Sequence, residues 1–187
     1  MIGYAFCGSF CTFRDSFLQF EKLCRSGYEV QPIMSENAYS TDTRFFEAAK
    51  FRKLLSDTAG REIIHTVADA EPLGPARRLE CLIIAPCTGN TLAKLALGIT
   101  DTAVTMAAKA HLRSDGPTLI ALASNDAMSA NLKNIAAVLS RKSVYMLPMR
   151  QDDPSRKPHS LVADFSLMSE ALECVMSGRQ IRPLFLT

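Results

Sequence analysis

Four clusters of small and polar residues are built to hold a polar ligand, and each follows an apolar run directly. The first is Cys7-Gly8-Ser9-Phe10-Cys11-Thr12. A glycine lets another group approach the backbone, and a hydroxyl leading into a helix sets an anion before free N–H groups. The same residues also serve an ordinary tight turn in which Ser or Thr caps the helix. No G-x-G-x-x-G spacing is present, so this is not a dinucleotide fingerprint. The second cluster begins at Ser35, whose hydroxyl either shares a phosphate with Ser9 or caps the following turn. The third runs Ala85-Pro86-Cys87-Thr88-Gly89-Asn90-Thr91 and continues to Asp101. Thr88, Asn90 and Thr91 place more donors and acceptors at one helix start than capping requires. In the fourth, Ser124-Asn125-Asp126-Ala127-Met128, Asn125 presents an amide to a planar polar ligand, and Asp126 or Ser124 is able to cap the next helix.

The reactive side chains near these clusters are few. Cysteines stand at 7, 11, 24, 81, 87 and 174, with no C-x-x-C pair and no Cys/His spacing that suits zinc, so no metal site is read. They read as reduced thiols of a cytoplasmic protein. Cys7, Cys11 and Cys87 fall beside the ligand loops, where a helix start lowers a thiol pKa. Without a paired histidine they read as small apolar filler, and Cys81 and Cys174 read as core. His65 lies on an expected third strand, where it is either a base or a structural side chain. His111 ends a helix, a favourable place for a cation, and His159 follows Pro158.

The elements that position these groups alternate strand with helix. Strands are expected at Ile2 to Gly8, Tyr28 to Met34, Glu62 to Val67, Cys81 to Ala85 (stopped by Pro86), Thr118 to Ala123 and Ser143 to Leu147, the last closing the sheet. Helices are expected from Phe13 to Cys24, Thr43 to Leu55, Thr88 to Leu97, Thr102 to Leu112, Met128 to Leu139 and Asp164 to Met176. Arg150 to Pro158 reads as a polar loop. This alternation implies a three-layer, doubly wound, Rossmann-like parallel sheet, and a chain of 187 residues fits one domain, 1–187. Ligands of such sheets bind beyond the carboxyl ends of the strands, where all four clusters fall. A net charge of +2 with dispersed basic residues argues against nucleic acid. No apolar run approaches the roughly 20 residues of a membrane span.

Strand–GS–helix, strand–APCTGNTLAKLALGITD and strand–SNDAM–helix together resemble the homo-oligomeric flavin-containing Cys decarboxylase family. That family includes flavin prenyltransferases and the B chains of dipicolinate synthase. Its motif is approximately A-P-A-T-x-N-T-x-x-K-x-A-x-G-x-x-D, and 85–101 match it closely. The segments STDTRFF (40–46), AEPLGP (70–75) and QDDPSRKPHSLVADF (151–165) are similar to the dipicolinate synthase B chains and foreign to the decarboxylases.

The resemblance implies a flavodoxin-like flavoprotein fold and FMN as cofactor. Gly8, Ser9, Phe10 and Ser35 would hold the phosphate. Pro86, Cys87, Thr88, Asn90 and Thr91 would line the ribityl chain and ring, with Asn125 and Met128 near the ring or substrate. The implied activity is oxidation of a dihydrodipicolinate-type intermediate to dipicolinate during sporulation, in the mother cell of a spore-forming bacterium. The synthase's A chain would be the partner and carry NADP, and homo-oligomers would be trimers or multiples of them. Such a substrate is a small dicarboxylate needing cations, for which Arg14, Arg44, Arg150, Arg156 and Lys157 are candidates. Arg44 follows the second strand and suits a carboxylate by its bidentate guanidinium. Asn125, Arg44 and His65 are thus the catalytic candidates. Two departures stand out: Cys87 and Gly89 replace common alanines, and Asp152-Asp153-Pro154 replaces the decarboxylases' cysteine-bearing clamp. The competing expectations are an FMN-dependent decarboxylase or prenyltransferase and a non-catalytic scaffold protein.

Overall fold

A computed structural model of the chain describes residues 1–74 and 79–187; Pro75, in the segment 70–75 singled out above, lies outside them. In chain order the elements are β1 (Ile2–Phe6), α1 (Phe13–Arg25), β2 (Val30–Met34), α2 (Glu36–Ser40), α3 (Ala48–Ala59), α4 (Val67–Ala70), β3 (Cys81–Cys87), α5 (Gly89–Leu97) and α6 (Ala103–Leu112). They continue as β4 (Thr118–Ser124), α7 (Leu132–Leu139), β5 (Val144–Met146), β6 (Met149–Arg150), β7 (Leu161–Ala163) and α8 (Met168–Met176). Strands β2, β1, β3, β4 and β5 lie side by side and parallel. The far edge of β4 is shared: its first half pairs with β5, and Ala123 and Ser124 pair antiparallel with β7, which pairs with β6.

Every residue of β1, β2 and β3 is buried, as a parallel sheet covered on both faces requires. Alternate side chains therefore enter different cores. Tyr4, Phe6, Ile83 and Ala85 join Phe13, Phe20, Phe51, Leu55, Met168 and Leu172 of α1, α3 and α8. Ala5, Cys7, Leu82 and Ile84 join Leu92, Val104, Ala107, Ile135 and Val138 of α5, α6 and α7. Helices thus sandwich the sheet in three layers. On the first face the rings of Phe6, Phe13, Phe20, Phe46 and Phe51 interlock at centroid distances of 4.7 to 5.9 Å. Each such pair adds about 0.5–1.5 kcal/mol beyond the area it buries.

Several expected elements differ. The expected strand from Glu62 to Val67 reduces to one bridge, Ile64 against Ile33, and Val67 already begins α4. Helix α3 starts at Ala48 rather than Thr43, because the Asp42 carboxylate accepts the Ala48 N–H at 2.8 Å and holds the preceding residues in an open turn. Pro86 does not stop β3, which runs on to Cys87 with a register shift after Ile84; Pro86 is tolerated because its carbonyl still accepts the Cys7 N–H. Turns occupy the stretch from Asn125 to Asn131, so α7 begins at Leu132. Residues Phe165–Leu167 form a 3₁₀ turn ahead of α8. The loop expected from Arg150 to Pro158 is entered through β6, and β5 does not close the sheet because β7 and β6 extend it. Cys174, expected in the core, is half-buried.

Candidate functional site

The loops after β1, β2 and β3 meet at the carboxyl edge of the sheet around an open cleft of about 310 Å³. Gly8 and Phe10 come from the first loop, Ser35 and Asn37 from the second, and Thr88, Asn90, Thr91 and Lys94 from the third, with Asp101 and Thr102 closing the far side. The cleft sits at a seam, since Phe10 packs on Phe13 and Phe46 of the aromatic core whereas Thr91 and Leu92 belong to the helix of the aliphatic one.

Each loop has a local cause. After β1 a short 3₁₀ turn, Phe10–Thr12, leads into α1, with the Thr12 hydroxyl donating to the Ser9 carbonyl at 2.9 Å. Ser35 caps α2: its Oγ accepts the Ala38 N–H at 3.3 Å, which leaves its own O–H to donate elsewhere. Thr88 caps α5 by accepting the Thr91 N–H at 3.1 Å and donating to Thr91 Oγ1 at 3.1 Å. Both threonine hydroxyls are thus engaged within the turn, whereas Asn90 is exposed beside them. Gly98, at φ 73°, ends α5 in the left-handed region, and Lys94 reaches across that turn to Asp101 with contacts of 2.8 and 2.9 Å.

The ionisable groups follow from these contacts. The hydrogen bond from Lys94 holds the Asp101 carboxyl below its ordinary value. Burial pushes the Cys7 thiol up to about 11, with the Thr91 hydroxyl and the Thr88 backbone offsetting part of the shift. Burial, aided by the neighbouring Cys7, raises Cys87 well above 9.0. Both thiols are therefore neutral filler at the strand ends.

Other candidates fall outside the cleft. Cys11 is exposed. Ser9 stands beside the cleft wall at the 3₁₀ turn, and Pro86 and Cys87 are buried beneath the third loop in β3. Asn125 and Met128 lie in the fourth loop, which touches the third through Gly89: a Cβ there would meet Asn131 Nδ2 and Ser124 Oγ at 2.5 Å and Asp126 Oδ1 at 2.8 Å. His65 stacks on Tyr39, with ring centroids 3.8 Å apart, in a separate cleft lined by Arg52 and Lys53. Arg44 is exposed, with its guanidinium 4.9 Å from the Phe45 ring. Arg150 pairs with Asp164 and Lys157 with Asp152. His111 is buried against the Pro117 carbonyl at 3.0 Å, far from the cleft. Glu36, Asn37 and Thr102 line the cleft without an expected role, and so do Lys94 and Asp101, which fall on the lysine and aspartate of the motif. The signal for that pair was a seven-residue separation spanning a helix-ending glycine.

Residues 1–168 match the Flavoprotein family. The chain belongs to that family. It is 41% identical over 183 residues to the B subunit of dipicolinate synthase from Bacillus subtilis (strain 168), an alignment that covers 98% of this chain and 92% of the relative. The crystal structure of the Bacillus halodurans dipicolinate synthase B subunit superposes with a TM-score of 0.91 at 35% identity, covering 100% of this chain and 95% of that one. The FMN-dependent cysteine decarboxylase SpaF shares the fold, with a TM-score of 0.68 at 22% identity over 93% of this chain and 95% of its own. The resemblance to dipicolinate synthase B chains and the three-layer flavodoxin-like fold are both borne out. Among the described residues, no helix is long and apolar enough to cross a membrane.

Proposed function

We propose that this flavoprotein is the B subunit of a dipicolinate synthase. It binds FMN in the carboxyl-edge cleft. With an A subunit carrying NADP, it takes part in oxidising a dihydrodipicolinate-type intermediate to dipicolinate during sporulation, in the mother-cell cytoplasm. The observation that carries this reading is the convergence of the first three loops on one cleft in a chain so similar to a dipicolinate synthase component.

The residues fit the cofactor. Gly8 lines the cleft between Phe10 and Asn37, which a Cβ there would meet at 3.5 and 3.8 Å, ordinary contact distances. Ser9 and the available O–H of Ser35 suit a phosphate at the entrance to α1, with Gly8 and Phe10 contributing backbone. Pro86, Cys87, Thr88 and Thr91 shape the wall for the ribityl chain and ring, and the Asn90 amide is left to bond it. Asn125 and Met128 border the substrate side. When bound, the flavin supplies a two-electron acceptor. The chain's own task is to orient the ring and hold the dicarboxylate, for which Arg44 presents an exposed guanidinium. His65, engaged with Tyr39, takes no part. Assembly as a trimer or a multiple of one follows the family.

The test is an absorption spectrum of the purified chain before and after FMN addition and desalting. A retained flavin band, lost in Ser9→Ala or Asn90→Ala, is the expected result. A protein that stays colourless at high FMN would overturn the reading in favour of a non-catalytic scaffold. That second reading is favoured by one observation, the use of the Thr88 hydroxyl as both donor and acceptor within its own turn. It predicts that Asn90→Ala and Asn125→Ala leave the activity of the assembled complex intact.

A further inference from the structure

The fourth loop carries a compact hydrogen-bonded group, closed within residues 124–134, that packs on the third loop and that the proposed flavin site does not use. Asp126 is its centre. Asn131 Nδ2 donates to both of its carboxylate oxygens at 2.9 Å, and the Ser124 hydroxyl donates to Oδ1. Asn131 is itself buried and fixed from behind, because Asn134 Nδ2 donates to its Oδ1 at 2.8 Å. These hydrogen bonds, that of Ser124 foremost, hold the Asp126 carboxyl below its ordinary value, so it is ionised. The whole group presses on the first residue of α5. All three nearest atoms to a Cβ at Gly89 belong to it, and all lie closer than 3.0 Å. A side chain at Gly89 would collide with this group, so it is glycine that admits the carboxylate there. Gly89 has no positive φ, so space and not backbone conformation demands it.

We propose that Asp126 is a positioning residue: its clamped carboxylate, seated on Gly89, latches the loop carrying Asn125 to the helix start carrying Thr88, Asn90 and Thr91. Two consequences follow. The relative placement of Asn90 and Asn125 is fixed by the protein before any ligand arrives. The ionised carboxylate also lies against the first residue of α5, so a negative charge stands near that helix end before any ligand arrives. The latch rests on the flavin reading only for what it positions; the contacts themselves concern this chain alone.

The test is amide hydrogen exchange on the ligand-free chain, read together with FMN titration, for Gly89→Ala, Asp126→Ala and the double variant. Losing a charge-assisted clamp speeds exchange at 89–92 and 124–128 by about tenfold in Asp126→Ala, with the remainder of the sheet unchanged. Gly89→Ala does the same by wedging the loops apart. The double variant is no worse than Asp126→Ala: without the carboxylate, Ser124 and the Asn131 amide lose their shared partner and only Asn134 still holds Asn131, so the added methyl displaces side-chain ends rather than the loop. Uniform acceleration across the chain, no local change, or strictly additive effects would overturn the latch. A wild-type chain that takes up no FMN would sink the flavin reading and leave the exchange result to judge the latch. Where FMN is bound, Asp126→Ala weakens it at least several-fold while Asp57→Ala, an exposed α3 carboxylate paired with Lys53, does not.

Discussion

The two faces of the sheet are packed by different means. On the side of α1, α3 and α8 the core is filled by interlocking rings, from Tyr4 and Phe6 through Phe13 and Phe20 to Phe51. On the side of α5, α6 and α7 the buried cluster contains no aromatic residue among those described, and Ala103, Ala107 and Ala108 bring α6 close against the strands. The difference lies in what each face can tolerate. Large rings fill volume that nothing else in the chain can refill, so that face is sensitive to loss. Small side chains leave no spare volume, so the other face is sensitive to gain. The cleft takes one wall from each, and a defect in either core reaches it by a different route.

Three substitutions sharpen this comparison. The largest effect is expected for Phe13→Ala, which empties the centre of the ring cluster and removes the support of Phe10. A loss of about 3–5 kcal/mol is expected, lowering the melting temperature by on the order of 10 °C in calorimetry. Ala107→Leu overpacks the opposite face and is expected to cost about 1–3 kcal/mol in denaturant unfolding. Were Ala107→Leu harmless, the close approach of α6 would be slack and the contrast between the faces would fail. The smallest effect concerns pH. Burial lowers the His111 pKa from 6.5, so the unfolded chain takes up that proton first. Stability contributed by the neutral ring is therefore complete above pH 6.5 and declines as pH falls through that value and below. In melting curves recorded from about pH 7.5 to 5, His111→Gln is expected to flatten this slope. An unchanged slope would mean that other groups set it.

Much of this was legible from residue type and spacing. The continuous apolar runs of β1, β3 and β4 identified buried parallel strands, and Thr88 and Thr102, each ahead of an apolar-periodic stretch, marked two helix starts within a residue. Where the reading missed, a contact distant in sequence had overruled the local pattern. Asp42 delays α3 by reaching six residues forward, and Ile64 makes one bridge where five flanking residues make none. Strands β6 and β7, of two and three residues, are too short to show a period. At the site, the third loop was legible as a motif, but the engagement of both its threonines and the seating of Asp126 on Gly89 depend on where two loops meet in space.

The shared edge of β4 also sets an order of events during synthesis. The five parallel strands are complete once residue 146 has been made. The end of β4, which launches the Asn125 loop, gains its antiparallel partner only with Leu161 and Val162, and the Met128 N–H gains its acceptor only with His159. A nascent chain thus completes its parallel strands while the antiparallel support of the fourth loop is still missing. Synthesis through β7, beyond the last parallel strand, is what completes the support of the carboxyl edge.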